Sequence, residues 1–199
     1  MTSPDGGRYV VMVSGAPGAG KTTLARALAP ELGLPLFSKD QIKETLIDAL
    51  GGPADDLSYS RRVGGAAMEL LWRLAEQAPA AVLEANFRPH SAYERQRLAS
   101  LGACVIEVYC DCPPHEVARR FAARAAAGVH TAHPLRSLPA ELLAEYDRPV
   151  GFGAVLHVNT SQPVDVLALA ERLRHLVIAL QGDAASMQSS GRPPKERCS

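Results

Sequence analysis

Short apolar runs alternate with longer amphipathic segments along the chain, and this pattern predicts strands that alternate with helices. The apolar runs lie at residues 9–13, 35–37, 80–85, 104–109 and 155–159. Apolar side chains recur at helical spacing elsewhere, which predicts helices at residues 22–32, 41–50, 59–77, 91–101, 113–127, 139–146 and 164–180. Such alternation is typical of a parallel sheet with helices on both faces. The pattern therefore predicts an α/β fold with five parallel strands.

The length and the local composition indicate one domain followed by a tail. With 199 residues, the chain is long enough to bury a substantial core as a single domain. After Gly182 the sequence is rich in Ser, Gly and Pro and shows no hydrophobic periodicity. We therefore expect one domain at residues 1–181 and a disordered tail at residues 182–199.

The charge balance argues against a partner that is held by a broad electrostatic field. Lysine and arginine together number 21, as do aspartate and glutamate, so the formal net charge is zero. Nucleic acid is therefore a less favoured partner, although the net charge does not exclude a local basic groove that binds it. The polar residues 1–8 lack the apolar core of a signal peptide, and no apolar run is long enough to span a bilayer. We expect a cytoplasmic protein without a membrane partner.

The cysteines do not indicate a disulfide framework or a metal site. They number four and are unevenly spaced along the chain. Cys110 and Cys112 flank Asp111 at the end of a predicted strand, but no second cysteine pair or His-x-x-x-His motif accompanies them. We interpret these two residues as reduced thiols at a strand end.

A glycine-rich loop between the first strand and the first helix carries the clearest chemical signal. Its eight residues match the pattern G-x-x-x-x-G-K-[ST] in full, with a second threonine, Thr23, after it: Gly15, Ala16, Pro17, Gly18, Ala19, Gly20, Lys21 and Thr22. The glycines allow backbone N–H groups to turn inward toward phosphate oxygens, and the helix N-terminus adds partial positive charge. Lys21 suits the β- and γ-phosphates, and the Thr22 hydroxyl suits Mg²⁺. The loop predicts a bound nucleoside triphosphate.

The rest of the chain selects among the protein classes that share such a loop. A GTPase would be expected to carry an Asn-Lys-x-Asp motif, which the sequence lacks. A motor or transporter ATPase would normally end its third strand with two acids, whereas this strand ends with Glu84 alone, followed by Ala85 and Asn86. A chain of fewer than 200 residues also leaves little room for coupling elements. These observations favour a small kinase.

Asp40 is the candidate general base. It follows the second predicted strand, about 20 residues after the loop, at the edge where open α/β sheets place their sites. A carboxylate there can accept the proton of a hydroxyl group that attacks the γ-phosphorus, which contributes roughly 10²–10⁴ in rate. The alternative is that Asp40 caps a helix beginning at Gln41. Position alone leaves both interpretations open.

Several short motifs, taken in order, resemble a known family. They are the Gly-x-Pro-Gly-x-Gly-Lys-Thr-Thr loop, Ser-Lys-Asp-x-x-Lys at residues 38–43, Glu-Ala-Asn-Phe at residues 84–87 and Arg-Phe-x-x-Arg at residues 120–124. This set resembles the small phosphotransferases related to the kinase domain of bacteriophage polynucleotide kinase, a group that includes chloramphenicol phosphotransferase, zeta-type toxins and AAA-type ATP-binding proteins. The resemblance covers residues 10–180. It implies a P-loop NTPase three-layer sandwich with strand order 2-3-1-4-5.

The resemblance also implies roles for individual residues. Asp40 matches the general base, and Lys43 matches a basic residue that holds the acceptor. Asn86, with Glu84 before it, matches a polar pair beside the reaction centre. The family implies ATP rather than GTP as the donor, with Mg²⁺ as its metal.

The Arg-Phe-x-x-Arg motif precedes a predicted lid at residues 124–138. Arg120 and Arg124 share a helical face, so one can lie along the nucleotide while the other neutralises the transferring phosphoryl group. Because Arg119 is adjacent to Arg120, the sequence leaves open which of the two faces the nucleotide. Many relatives carry Arg-His-Pro-Gly-His in the lid, but here Val129 stands in place of the arginine. Either Arg124 supplies that charge or the acceptor differs. The lid histidines His130 and His133 are acceptor ligands or structural residues.

The acceptor is expected to lie against Asp40, Lys43 and residues 51–77. A hydroxyl group of a small molecule is favoured because the chain is neutral and lacks a basic, aromatic-rich strand path. A nucleic-acid or nucleoside 5′-hydroxyl is the second choice. A protein that binds or hydrolyses ATP for regulation, without a phosphoryl acceptor, is the alternative from a different class.

Overall fold

The computed structural model describes residues 7–52, 56–126 and 139–189. Within them, strands and helices alternate for most of the chain. The strands are β1 (Tyr9–Ser14), β2 (Leu36–Ser38), β3 (Ala80–Glu84), β4 (Cys104–Asp111) and β5 (Ala154–Asn159). The helices are α1 (Lys21–Leu32), α2 (Lys39–Leu50), α3 (Leu57–Gln77), α4 (Ala92–Ser100), α5 (Pro114–Ala126), α6 (Ala140–Ala144) and α7 (Val166–Ser189).

The five strands form one parallel sheet in the order β2-β3-β1-β4-β5, which confirms the predicted order. β1 lies at the centre, where Val13 pairs with Glu84 of β3 on one side and with Val108 of β4 on the other. All strands run in the same direction, so their carboxyl ends meet at one edge. The loop after β1 and the residues after β2 and β3 are therefore brought together there.

Alternate side chains of β1 pack into two separate cores, one on each face of the sheet. Val11 and Val13 pack with apolar residues of α1 and α7. Val10 and Met12 pack with residues of α3 and α4, including Trp72, which also contacts Phe87 at a ring distance of 5.7 Å. This is the buried parallel sheet that the near-continuous apolar runs predict. None of the described helices has the length and hydrophobicity needed to cross a bilayer.

Two differences from the expected helix boundaries bear on the predicted site and on the predicted tail. α2 begins at Lys39, so Asp40 lies inside its first turn. α7 continues to Ser189, which shows that residues 182–189, expected to belong to the disordered tail, are helical. Ala184, Ala185 and Met187 have high helix propensity, which carries the helix beyond Gly182. The final residues 190–199 and most of the predicted lid, with His130 and His133, lie outside the described residues.

Arg8, just before β1, fixes the ends of two helices. Its guanidinium donates hydrogen bonds to the carbonyl oxygens of Ala75 and Glu76, both at 2.8 Å, and of Ala78 at 3.4 Å, around the end of α3. It also donates to the carbonyl oxygen of Leu101, at 2.9 Å, just after α4. The last carbonyl groups of a helix have no partner within the helix, so one cation satisfies several of them.

Replacing Arg8 with methionine should lower the free energy of unfolding by about 2 to 4 kcal/mol, because several charge-assisted hydrogen bonds to helix ends are lost. Urea unfolding measures this change. Arg73→Met is the control, since Arg73 is 72% exposed and pairs with Glu76 on the surface of α3. The control should change stability by less than about 0.5 kcal/mol. Equal losses in both variants would contradict the role of Arg8.

Candidate active site

The phosphate-binding loop joins β1 to α1 in a conformation that depends on glycine. Gly15, Gly18 and Gly20 have φ angles of 128°, 99° and 96°, a region that side-chain-bearing residues rarely adopt. A Cβ atom at Gly15 would also lie 2.9 Å from the carbonyl oxygen of Cys110 in β4. The loop therefore has the strand–loop–helix context that its sequence motif requires.

The cationic and dipolar groups of the loop suit a phosphate chain. Lys21 is buried, and its Nζ donates a hydrogen bond to the carbonyl oxygen of Ala16 at 2.8 Å. The N-cap of α1 is Gly20, so no side chain caps the first amides of this 12-residue helix. Those amides and the positive end of the helix dipole favour a bound anion. The backbone and Lys21 therefore form a cradle that fits the phosphates of a nucleotide.

Glu84 connects the loop to the neighbouring strand ends. It is the last residue of β3 and is buried. Its Oε1 accepts a hydrogen bond from Thr22 Oγ1 at 3.2 Å, and its Oε2 accepts one from Ser38 Oγ at 2.5 Å. A carboxylate beside the Thr22 hydroxyl is an oxygen donor set that suits Mg²⁺. The sequence grouped Glu84 with the acceptor, whereas these two contacts place it beside the expected metal ligand.

Asp40 lies in the first turn of α2 and forms an ion pair with Lys39, whose Nζ is 2.9 Å from Asp40 Oδ1. The Asp40 side chain is 29% exposed, so it stays accessible at the carboxyl edge of the sheet. The N-cap of α2 is Ser38, the last residue of β2, and its hydroxyl donates a hydrogen bond to Glu84. Asp40 is therefore not the N-cap, although its charge is favourable near the helix N-terminus.

Lys43 lies one turn further along α2 and joins it to α3. Its side chain is buried, and Nζ donates a hydrogen bond to Ser60 Oγ at 2.7 Å. Burial lowers the pKa of Lys43, and the nearby Lys39 lowers it further, while Asp40 and Glu44 act in the opposite direction. Lys43 is thus a desolvated cation next to the candidate base, and its role as an acceptor ligand stays a prediction.

Asn86 follows β3 and is partly buried at the same edge of the sheet as Glu84. The segment after it is held in place because Phe87 packs on Trp72 and Glu94 accepts a hydrogen bond from the backbone N–H of Arg88 at 2.6 Å. Asn86 thus lies at the carboxyl edge of the sheet, and its place beside the reaction centre and its contact with the acceptor stay predictions.

Arg120 of α5 lies next to the phosphate-binding loop. Its Nη1 donates to the carbonyl oxygen of Thr160 at 2.9 Å and would be 3.7 Å from a Cβ atom at Gly20. Glu116 orients it through a 2.6 Å ion pair. Hydrogen bonds from Arg119 and Arg120 lower the pKa of Glu116 to about 2. Arg119 itself is 69% exposed. The structure thus brings Arg120 to the loop and leaves Arg119 on the surface; the Arg124 side chain lies outside the described residues.

A buried carboxylate that the sequence interpretation did not single out supports the base of the loop. Glu107 of β4 is fully buried and accepts hydrogen bonds from Ser14 Oγ at 2.5 Å and from the backbone N–H groups of Val150 and Gly151, both at 2.9 Å. Ser14 directly precedes the loop. The sequence did carry a signal for this role, which is a glutamate inside the apolar run at residues 104–109. A carboxylate buried in a strand requires several hydrogen-bond donors around it.

Cys110 packs beneath Gly15 of the loop. Burial raises the pKa of its thiol to about 12, so the thiol stays protonated near neutral pH. Cys104, Cys110 and Cys112 are free thiols at or beside β4. Cys110 and Cys112 lie at the end of this strand, and their interpretation as reduced thiols stays a prediction.

Replacing Arg120 with methionine should weaken nucleotide binding by about tenfold, because a partly buried cation beside the loop is lost. Arg119→Met should leave the nucleotide Kd within about twofold, since this neighbour is exposed. Titration with a fluorescent ATP analogue measures both values. A larger effect for Arg119 would show that the two arginines are assigned in the wrong register.

Glu107→Leu should lower the free energy of unfolding by about 3 to 5 kcal/mol, because three buried donors lose their acceptor. Glutamine has the same side-chain length and retains one carbonyl oxygen as an acceptor. Glu107→Gln should therefore lower the free energy of unfolding by about half as much. Urea unfolding compares the two variants. If Glu107→Leu were as stable as the unsubstituted protein, the carboxylate would not hold these donors.

Comparisons with known proteins agree with this geometry. The model of the family AAA_33, described as an AAA domain, matches residues 10–149, well over half of the chain. A candidate kinase from Chloroflexus aurantiacus j-10-fl is 30% identical, with a TM-score of 0.73 over 84% of this chain and 97% of that chain. No curated protein matches the chain closely enough to count as a relative.

Two kinases of known substrate share the fold at lower identity. Shikimate kinase from Acinetobacter baumannii, solved with shikimate, is 20% identical, with a TM-score of 0.55 over 85% of this chain and 93% of that chain. The APS kinase CysC of Mycobacterium tuberculosis, solved with AMPPNP and APS, is 20% identical, with a TM-score of 0.50 over 86% and 97%. The resemblance to small P-loop phosphotransferases is confirmed: the chain belongs to the AAA_33 family of AAA domains and has the P-loop fold of small kinases.

Proposed function

We propose that this protein is an ATP-dependent kinase that transfers the γ-phosphoryl group to a hydroxyl group of a small molecule, with Asp40 as the general base. The observation that carries the proposal is a chain of contacts at the sheet edge. Thr22 of the phosphate-binding loop contacts Glu84, Glu84 contacts Ser38, and the accessible Asp40 is two residues further on. These contacts support a single site that includes the donor loop and the candidate base.

The donor half of this site fits ATP and Mg²⁺. The loop backbone at residues 15–20, Lys21 and the hydroxyl groups of Thr22 and Thr23 would hold the triphosphate, with Arg120 along the nucleotide. Thr22 and Glu84 present the hard oxygen atoms that Mg²⁺ prefers. When bound there, Mg²⁺ would neutralise part of the phosphate charge. ATP is favoured over GTP because of the family resemblance.

The transfer step assigns a separate task to each side chain. The acceptor hydroxyl oxygen forms a bond to the γ-phosphorus, the bond from that phosphorus to the β–γ bridging oxygen breaks, and ADP leaves. Asp40 takes up the hydroxyl proton during this displacement. Lys21 and Arg124 would stabilise the negative charge on the phosphoryl oxygens. Lys43 and Asn86 would hold the acceptor beside Asp40.

A small-molecule acceptor is supported by the charge balance of the chain and by proteins of the same fold. The formal net charge is zero, which provides no broad field for a polynucleotide. Two kinases with this fold were solved with shikimate and with APS. A nucleoside or polynucleotide 5′-hydroxyl and a regulatory protein without an acceptor are the competing functions, and the variants below discriminate among them.

Asp40→Asn should retain ATP binding but lower phosphoryl transfer by roughly 10²–10⁴, because the amide cannot accept the proton. Lys21→Ala should instead weaken nucleotide binding itself. Both are measured with γ-labelled ATP and a panel of nucleosides, sugars, antibiotics and 5′-hydroxyl oligonucleotides, together with nucleotide titration. Asp48→Asn, at an exposed position of the same helix, is the matched control and should leave both readouts unchanged.

Three results would contradict the proposal in different ways. Full transfer by Asp40→Asn would remove Asp40 as the base. Label transferred only to oligonucleotides would favour the polynucleotide function. ATP hydrolysis without any labelled acceptor, at the same rate in Asp40→Asn, would favour the regulatory function.

A further inference from the structure

The guanidinium of Arg120 is held by acceptors from two parts of the chain that meet beside the phosphate-binding loop. Its Nε donates a hydrogen bond to Glu116 Oε1, one turn earlier in α5, at 2.6 Å. Its Nη1 and Nη2 donate to the carbonyl oxygens of Thr160 and Ser161, at 2.9 Å and 3.4 Å, in the turn after β5. A guanidinium has five N–H groups in one plane, so three bonds in different directions fix the orientation of that plane.

Both oxygens of Glu116 are occupied by arginine. Oε1 accepts from Arg120 and also from Arg119 Nη2, and Oε2 accepts from Arg119 Nε; both bonds from Arg119 are 2.8 Å long. These hydrogen bonds hold the pKa of Glu116 at about 2, so the carboxylate is charged at neutral pH. A carboxylate repels phosphate, and this one has its oxygens directed to the arginines. Glu116 therefore reaches the site through Arg120 and not through the nucleotide.

The fixed guanidinium lies where the phosphate-binding loop passes into α1. A Cβ atom on Gly20, the N-cap of α1, would lie 3.7 Å from Arg120 Nη1 and 3.6 Å from Thr160 Cβ. A long side chain that becomes ordered only when its ligand binds loses conformational entropy at that step. The three acceptors of Arg120 order its side chain before any nucleotide arrives, so this entropy is lost on folding instead.

Charge and orientation predict opposite results for the removal of Glu116. A nucleoside triphosphate carries several negative charges, so the loss of a nearby carboxylate reduces repulsion and, by charge alone, makes nucleotide binding tighter. The loss of the acceptor of Arg120 Nε instead lets the guanidinium turn away, which makes nucleotide binding weaker. The sign of the change in the nucleotide Kd therefore shows which effect is larger.

We propose that Glu116 is a positioning residue for the nucleotide, and that its negative charge strengthens the binding of a polyanion by holding Arg120 in place. The inference rests on the nucleotide binding of the proposed kinase function, and it does not depend on the acceptor. Among the residues that the structure describes, Glu116 is the only one whose side chain accepts a hydrogen bond from Arg120. Two arginines share its single charge, which limits the repulsion of phosphate.

Glu116→Leu should raise the Kd of a fluorescent ATP analogue by about fivefold, although the substitution removes a negative charge. Glu116→Gln keeps a carbonyl oxygen for Arg120 Nε and should raise the Kd by about threefold. Glu171→Leu is the matched control, because it removes the same side chain from an exposed position of α7. The control should leave the Kd unchanged within about 1.5-fold.

A double-mutant cycle tests whether Glu116 acts through Arg120. In an Arg120→Met background there is no guanidinium left to position, so adding Glu116→Leu should not weaken nucleotide binding further. The Kd of the double variant should equal that of Arg120→Met or be lower, since the repulsion from the carboxylate is removed as well. A general loss of stability would instead weaken nucleotide binding in both backgrounds. Thermal unfolding without nucleotide verifies that each variant is folded, and if Glu116→Leu is not, Glu116→Gln completes the same cycle.

Three results would overturn the inference, and they are distinguishable from failure of the proposed function. Equal or tighter nucleotide binding by both Glu116 variants would show that charge outweighs orientation. A loss that persists in full in the Arg120→Met background would show that Glu116 acts without Arg120. Both of these results would leave the kinase function intact. Absence of nucleotide binding by the unsubstituted protein would overturn the proposed function and, with it, the inference.

Discussion

The carboxylate of Glu84 links three segments that are distant in the sequence but adjacent in the sheet. One oxygen accepts from Thr22 at the start of α1, and the other accepts from Ser38 at the end of β2. Because Glu84 is buried, neither oxygen can readily exchange its partner for water, and loss of either hydroxyl would leave an acceptor unsatisfied. The relative positions of the phosphate-binding loop and of α2 depend on this side chain. In the proposed reaction, Glu84 would therefore help to set the distance between the donor phosphate and the acceptor hydroxyl.

A second buried carboxylate supports the same loop from the opposite side. Glu107 of β4 fixes Ser14 immediately before the loop and also fixes the backbone that leads into β5. The loop is thus supported by Glu84 through its first helical turn and by Glu107 through its last strand residue. Preorganised loop amides need little rearrangement when charge develops on the phosphoryl group, which is the main way such sites stabilise a transition state.

Local sequence patterns predicted the strands, the helices and the phosphate-binding loop, because hydrophobic periodicity and the glycine motif are determined by residues close in the chain. The partners Ser38, Ser60 and Glu107 were not predicted as site residues, since their contacts span 46, 17 and 43–93 positions. The choice between Arg119 and Arg120 also required coordinates, because adjacent positions on a helix differ by about 100° in direction. Ser38 rather than Asp40 ends up at the start of α2 because the extended backbone of β2 continues up to Ser38.

The hydrogen bonds of Arg8 have a consequence for where the folding unit begins. The family match starts at residue 10, after Arg8. Yet Arg8 bridges two helix ends across the amino-terminal edge of the sheet, and the Gly7 carbonyl oxygen accepts a hydrogen bond from Gln181 of α7. Homology alone would place the start of an expressible fragment inside β1. The contacts of Arg8 and Gly7 place it at least two residues earlier. A fragment that begins at the family boundary would lack these contacts, which lie at the edge of the sheet opposite the active site.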